Sequence, residues 1–189
     1  PISSLMAWMD LLESSGVDPS LLSDMNKDVN RLSVIAERFS KIGSKPEMEL
    51  IYVNEVLENA TEYMRRRVSD KVLITTHLPS DAEGAMVCLS LFEWVIENLC
   101  KNAVDAMNGE GRIDVYMTSE KQQIYIDIKD TGKGIARKNF KTVFNPGYTT
   151  KKRGWGLGLT LAKRIIEAYH AGRIYVKDSE VGEGPTFRI

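Results

Sequence analysis

Three polar side chains, Asn98, Asn102 and Asp105, follow one another at spacings of four and three, so a helix aligns them along one edge. Their oxygens are hard ligands suited to Mg²⁺, which takes few protein groups, keeps waters and completes its shell with phosphate oxygens. Asparagines on a helix are also ordinary surface residues, and the trio alone decides nothing. A second group is Gly154-Trp155-Gly156-Leu157-Gly158-Leu159, which leads into an amphipathic stretch. A glycine-rich loop opening a helix presents several backbone N–H groups to phosphate oxygens, although flexible turns and close helix packing use the same residues. Nine of the 14 glycines follow residue 131, which is uneven for a uniformly packed scaffold. Residues 131–166 hold no Asp or Glu but carry Lys133, Arg137, Lys138, Lys141, Lys151, Lys152, Arg153, Lys163 and Arg164. That window is +9 and the rest of the chain −10, for a total of −1. A near-neutral chain that gathers its cations beside its glycines suits a polyanion of modest size. A solvated basic face is the plain alternative; nucleic acid is disfavoured by the net charge and by the scarcity of interleaved aromatics.

The elements that must position these groups read as two regions. In residues 1–44, Ile2, Leu5, Met6, Met9 and Leu12 form one helical stripe, broken at Ser14-Ser15-Gly16. Asp18-Pro19 starts a second helix whose Leu22, Met25, Val29, Leu32, Ile35, Ala36 and Phe39 keep the period until Gly43-Ser44-Lys45-Pro46. Two amphipathic helices cannot bury both stripes alone; a homodimeric four-helix bundle would cover them, or the rest of the same chain would.

Residues 45–189 change rhythm. Strands are expected at 50–53, 71–77, 86–89, 112–118, 124–130, 173–176 and 185–189, and helices at 54–67, from an N-cap at Ser90 to 107 with Asn108-Gly109 closing it, and at 157–171. The alternating runs Ile113, Val115, Met117 and Ile124, Ile126, Ile128 suit a hairpin within one sheet covered on one face. The fold class is therefore α+β: a helical hairpin followed by an α/β sandwich. Glu97 projects from the far side of its helix and reads as solvent-facing.

Composition sets the bounds. The 189 residues, 43% hydrophobic and 27% charged, describe ordinary globular material. Cys88 and Cys100 make no disulfide framework or metal pattern, which fits a reducing cytoplasm. No apolar run approaches the roughly 18 residues that cross a bilayer, so the chain reads as cytoplasmic, with any membrane link in a sensory region upstream of Pro1.

In order, the sequence offers Glu97-Asn98-Leu99-Cys100-Lys101-Asn102-Ala103-Val104-Asp105, Asp130-Thr131-Gly132-Lys133-Gly134-Ile135, Val143-Phe144-Asn145-Pro146-Gly147-Tyr148-Thr149-Thr150-Lys151, and Gly154 to Leu159. This resembles the ATP-binding domain of sensor histidine kinases, whose N, G1, F and G2 boxes follow in that order, within the wider group that includes gyrase, Hsp90 and MutL. Val181-Gly182-Glu183-Gly184-Pro185-Thr186-Phe187 looks like that family's final segment, with Pro185 where another residue is more usual.

The resemblance implies ATP and Mg²⁺ as ligands. Asp130 would accept a hydrogen bond from the adenine amino group, assisted by Thr186 through water; Gly132 and Gly134 would let the backbone turn against the base, and Ile135 would touch it. Asn102 would hold Mg²⁺ with Asn98 beside it at the phosphates, while Asp105 stands where many relatives carry Lys. Residues 136–153 would form a lid anchored by Phe144 and Tyr148, with Thr149, Thr150 and Lys151 near the γ-phosphate. Gly154, Gly156, Leu157, Gly158 and Leu159 would line the phosphates. The hairpin resembles the dimerisation and phosphoacceptor region, cut just after the acceptor histidine, so that His77 and His170 read as structural.

The implied activity is phosphoryl transfer from Mg·ATP to a histidine upstream of this chain and then to an aspartate of a response-regulator receiver domain. A gyrase- or MutL-like ATPase and an ATP-sensing pseudokinase scaffold are the alternatives. The short hairpin leading straight into the ATP domain speaks against the first, and intact Asn102, Asp130 and Gly154 to Gly158 against the second.

Overall fold

A computed structural model describes residues 2–18, 21–23, 25, 26, 29, 46–81, 83–151 and 155–189. The chain divides into two compact units, Pro1–Pro46 and Glu47–Ile189. In the first, α1 (Ile2–Ser14) ends where the hydroxyls of Ser14 and Ser15 both donate to the Leu11 carbonyl, at 2.8 and 2.7 Å, and Gly16 turns at φ +77°. Of the expected stripe Met9 is buried, whereas Leu5 and Met6 are exposed. Residues 21–23, 25, 26 and 29 are helical, with Leu22 and Val29 buried. The remainder of the expected second helix, including Leu32, Ile35 and Phe39, lies outside the described residues.

The second unit runs β1 (Glu49–Tyr52), α2 (Val53–Arg65), β2 (Val72–His77), β3 (Gly84–Val87), α3 (Leu89–Ala106), β4 (Gly111–Glu120), β5 (Gln123–Asp130), α4 (Gly158–Tyr169), β6 (Tyr175–Glu180) and β7 (Gly184–Arg188). Five strands form one sheet in the order β2-β4-β5-β7-β6, with β2 and β4 parallel and the other pairs antiparallel. β4 and β5 form the expected hairpin. β1 and β3 do not join this sheet, contrary to the single sheet expected; they pair only with each other, Leu50 against Met86. The reason is the connections. β1 passes directly into α2, whose Val53 N–H donates to the Glu83 carbonyl at 3.0 Å, and β3 is one residue from α3, so the pair stays at the helix starts.

Register makes one face of the large sheet apolar. Val115 opposes Ile128 and Met117 opposes Ile126, all buried, and α2 and α3 supply Val56, Leu57, Met64, Val95, Ile96 and Leu99 against them. Each such side chain taken from water contributes about 1.5–3 kcal/mol. The other face is polar and exposes Leu73 and Tyr175. Ser90 lies inside the first turn of α3; the N-cap is Cys88, which offers no capping side chain. The cap is replaced from elsewhere, because the Cys88 N–H donates to Nε2 of His170 at 3.1 Å. At the far end Asn108 (φ +56°) and Gly109 (φ +80°) close α3 as expected, the Gly109 N–H reaching the Val104 carbonyl.

His170 is thus structural, its Nδ1 lying 2.9 Å from the Ile165 carbonyl. His77 stacks on Tyr116 with ring centres 4.4 Å apart and lies 3.4 Å from Asp114.

Candidate functional site

The isoleucine row of β5 ends in a carboxylate. Asp130 sits opposite Ile113 on the apolar face, and it is 2% exposed. Its Oδ1 accepts the Gly132 N–H at 2.8 Å. Burial pushes its pKa up to about 6, and the Gly132 bond only partly offsets this. No side-chain cation pairs with it among the described residues. A nearly bare buried carboxylate costs stability and marks a functional position.

Asp130 lies in the wall of a cleft of about 560 Å³, within the range of small-molecule sites. The edge of α3 forms a second wall with Asn98, Asn102 and Asp105. The segment after β5 forms a third through Gly134 and Ile135. It is fixed to the β6–β7 side, because the Ile135 N–H donates to Ser179 Oγ at 2.8 Å and the Gly182 N–H to the Lys133 carbonyl at 3.0 Å. Gly134 adopts φ +72° with its Cα pressed on the Glu180 backbone, where a side chain would collide. At the start of α4, Gly156, Gly158 and Leu159 complete the wall. A Cβ on Gly158 would lie 2.6 Å from Asn98 Oδ1, so glycine is what lets α4 begin against α3. Asn98 Nδ2 is buried without a hydrogen-bond partner among the described residues. Such a donor is costly unless something outside the described residues uses it.

The described residues between Ile135 and Gly156 cover one side, with 3₁₀ turns at Arg137–Asn139 and Thr142–Phe144. Phe144 is buried; its ring meets Phe187 edge-on at 6.2 Å, and its carbonyl accepts the Thr160 hydroxyl at 2.9 Å. Tyr148, Thr149, Thr150 and Lys151 reach the cleft. Lys151 Nζ donates to Asn102 Oδ1 at 2.9 Å and to Asp105 Oδ2 at 2.6 Å, and Lys133 Nζ to Thr150 Oγ1 at 2.7 Å. Asn102 and Asp105 thus already grip a cation with hard oxygens, which is the donor chemistry of a Mg²⁺ site that finishes its shell on water and phosphate. No cluster of three or more His, Cys, Asp or Glu suited to a metal exists among the described residues.

Most of the sequence-derived site therefore converges on one cleft. Gly132 and Leu157 lie beside it without lining it, Phe144 packs behind it, and Gly154 is outside the described residues. Thr186 is not at Asp130. It is registered against Lys129, whose side of the sheet faces outward, while its neighbours Pro185 and Phe187 reach the cleft. Glu97, expected to face solvent, is half-buried. The sequence reading also missed Lys101, Lys133, Ala136, Asn139, Val143 and Trp155 as lining residues. Lys101, Lys133, Val143 and Trp155 stand inside quoted motifs, whereas Ala136 and Asn139 fall only within the span expected to form the lid.

A family described as "Histidine kinase-, DNA gyrase B-, and HSP90-like ATPase" matches residues 88–189, more than half of the chain. The chain is 29% identical over 198 residues to the signal transduction histidine-protein kinase AtoS of Escherichia coli (strain K12), covering all of this chain and 32% of that one. It spans under a third of that relative's length. Among solved structures, full-length ShkA in complex with AMPPNP matches 100% of this chain and 42% of its own at TM-score 0.83 and 20% identity. The histidine kinase ThkA in complex with the response regulator protein TrrA matches 100% of this chain and 56% of its own, at TM-score 0.70 and 18% identity. The chain belongs to the histidine kinase-, DNA gyrase B- and HSP90-like ATPase family, and residues 88–189 are an ATP-binding domain of the histidine kinase kind.

Proposed function

We propose that this chain is the catalytic core of a protein-histidine kinase. The carrying observation is a buried carboxylate, Asp130, in the wall of the cleft whose other wall presents Asn102 and Asp105 already holding a cation. Ionised, Asp130 accepts from the 6-amino group of adenine and rejects guanine, which offers a carbonyl there. The phosphates lie toward Asn98, Asn102 and the start of α4, where backbone N–H groups and the macrodipole favour anions. Asn102 would hold Mg²⁺, with Asp105 next to it, and the ion would supply charge neutralisation at the phosphates. Positioning and charge neutralisation carry most of such a transfer. The bond from the γ-phosphorus to its bridging oxygen breaks, a P–N bond forms on the acceptor imidazole, and ADP leaves.

The acceptor is neither His77 nor His170, since one lies stacked beside Asp114 and the other is tied at both nitrogens. It belongs to the helical region upstream of this chain. The first unit leaves Trp8 65% and Leu11 59% exposed, apolar surface that a second copy covers in a homodimeric bundle. The phosphoryl group then passes to an aspartate of a response-regulator receiver domain, a partner of the kind seen on ThkA. No described helix is long and apolar enough to cross a membrane.

Calorimetry with Mg·ATP and Mg·GTP, followed by phosphotransfer to a chain extended upstream through the acceptor, tests this reading. Adenine-selective binding and acid-labile phosphate on the extended chain are expected. Absence of binding by the folded protein overturns the nucleotide site; binding without transfer leaves the scaffold alternative.

A further inference from the structure

Lys151 stands out because it joins two parts of the site that need not touch. It comes from the covering segment, yet its ammonium sits against Asn102 Oδ1 and Asp105 Oδ2 on α3. The neighbouring Thr150 is held by Lys133, so two consecutive residues of that segment are fastened across the cleft. We infer that Lys151 is the resident cation of the nucleotide-free cleft and the residue that makes it discriminate ATP from ADP. This rests on the nucleotide reading above.

An ammonium and a divalent cation cannot share Asn102 Oδ1, because the two would lie within a few ångströms of one another and repel. A metal-bound nucleotide therefore enters by cation exchange: Lys151 leaves Asn102, and its charge needs another anion. On the nucleotide reading above, which puts the phosphates toward Asn98 and Asn102, a third phosphate supplies one. A diphosphate lacks it, so Mg·ADP displaces Lys151 without compensation, while Mg·ATP recovers a charge-assisted contact. The ion pair is partly exposed, with side-chain exposures of 38% and 41%, so the penalty is modest.

The test is calorimetry of Mg·ADP, metal-free ADP and Mg·ATP on the whole chain and on Lys151→Met, with thermal melts confirming that both fold. Lys151→Met should bind Mg·ADP about threefold more tightly than the parent, bind metal-free ADP no more tightly, and bind Mg·ATP more weakly. The preference for ATP over ADP should then fall by about tenfold. Independently, amide exchange in the segment around residues 148–151 should speed up in nucleotide-free Lys151→Met and in Asp105→Asn. Unchanged or weaker Mg·ADP binding by Lys151→Met, or unchanged exchange, overturns the inference while leaving the site intact. A folded parent that binds neither nucleotide overturns the site reading and this one with it.

Discussion

Two carboxylates three residues apart on β5 live under opposite rules. Asp127 faces the polar side of the sheet, where Arg188 donates to both of its oxygens at 2.6 Å and Lys177 to one at 2.7 Å. Burial pushes its carboxyl up, but the Arg188 and Lys177 cations override this and hold it below the usual carboxylate range. Asp130 has one backbone N–H and is pushed up to about 6. Period-two alternation explains the separation, since residues three apart on a strand fall on opposite faces. The difference teaches where each group's free energy is directed. Asp127 has partners and stabilises the fold; Asp130 is kept short of partners and held for a ligand.

Exchanging each for its amide breaks the comparison most directly. Asp130→Asn should weaken Mg·ATP binding by about 30-fold or more, because an amide N–H then faces the adenine amino donor. Its melting temperature at neutral pH should stay level or rise, since Asn Oδ1 still accepts from Gly132 and no charge is buried. Calorimetry and melts together check this, and a large loss of stability would return Asp130 to a structural role. Asp127→Asn should do the reverse, costing about 2 kcal/mol in chemical denaturation while leaving nucleotide affinity within about twofold.

Acidity sharpens the same contrast. Asp130 has a raised folded pKa, so between about pH 4 and 6 the native state holds a proton that the unfolded chain has released, and stability falls as pH rises through that window. Asp127 is depressed, and its contribution is present above its unfolded pKa and lost as pH falls toward the acid limb. A ligand that donates to Asp130 needs the ionised form, so nucleotide binding near pH 6 should release a proton. Calorimetry in two buffers of different ionisation enthalpy measures that number directly; zero release would mean that Asp130 does not change its protonation on binding.

A smaller effect belongs to His170, whose ring ties the uncapped start of α3 to the end of α4. His170→Phe keeps the ring beside Phe92 but leaves the Cys88 N–H without its acceptor, and should cost about 1–2 kcal/mol by denaturation with nucleotide affinity unchanged. This link shows one limit of sequence reading. Ser90 looked like the cap because capping is usually local, whereas the actual acceptor stands 82 residues away. What was legible obeyed local rules: the periodicity of the β4–β5 hairpin, the Asn108-Gly109 stop, and the glycines around the cleft. The Asp105–Lys151 pair spans 46 residues and is invisible for the same reason, although each residue belongs to a site motif. That β1 and β3 form a separate pair is not legible, because a strand's pattern says nothing about which edge it meets.

The smallest predicted effect concerns Thr186. Family resemblance placed it at the adenine beside Asp130, but pairing opposes Ile128 to Phe187 and Lys129 to Thr186. Directly opposed residues share a face, so Phe187 faces inward with Ile128, and Thr186 outward with Lys129. A one-residue offset inverts the side on which a strand residue acts, and here the inward neighbours are Pro185 and Phe187, which cannot donate a side-chain hydrogen bond. Thr186→Val should therefore leave Mg·ATP affinity within about twofold, since no buried hydroxyl at the base is lost. Pro185→Thr, which places a hydroxyl on a buried cleft-lining position, should change affinity more than Thr186→Val does. If calorimetry gave the opposite order, the β5–β7 register would be the part of the structure to revise, because no rotamer of Thr186 crosses the sheet to reach Asp130.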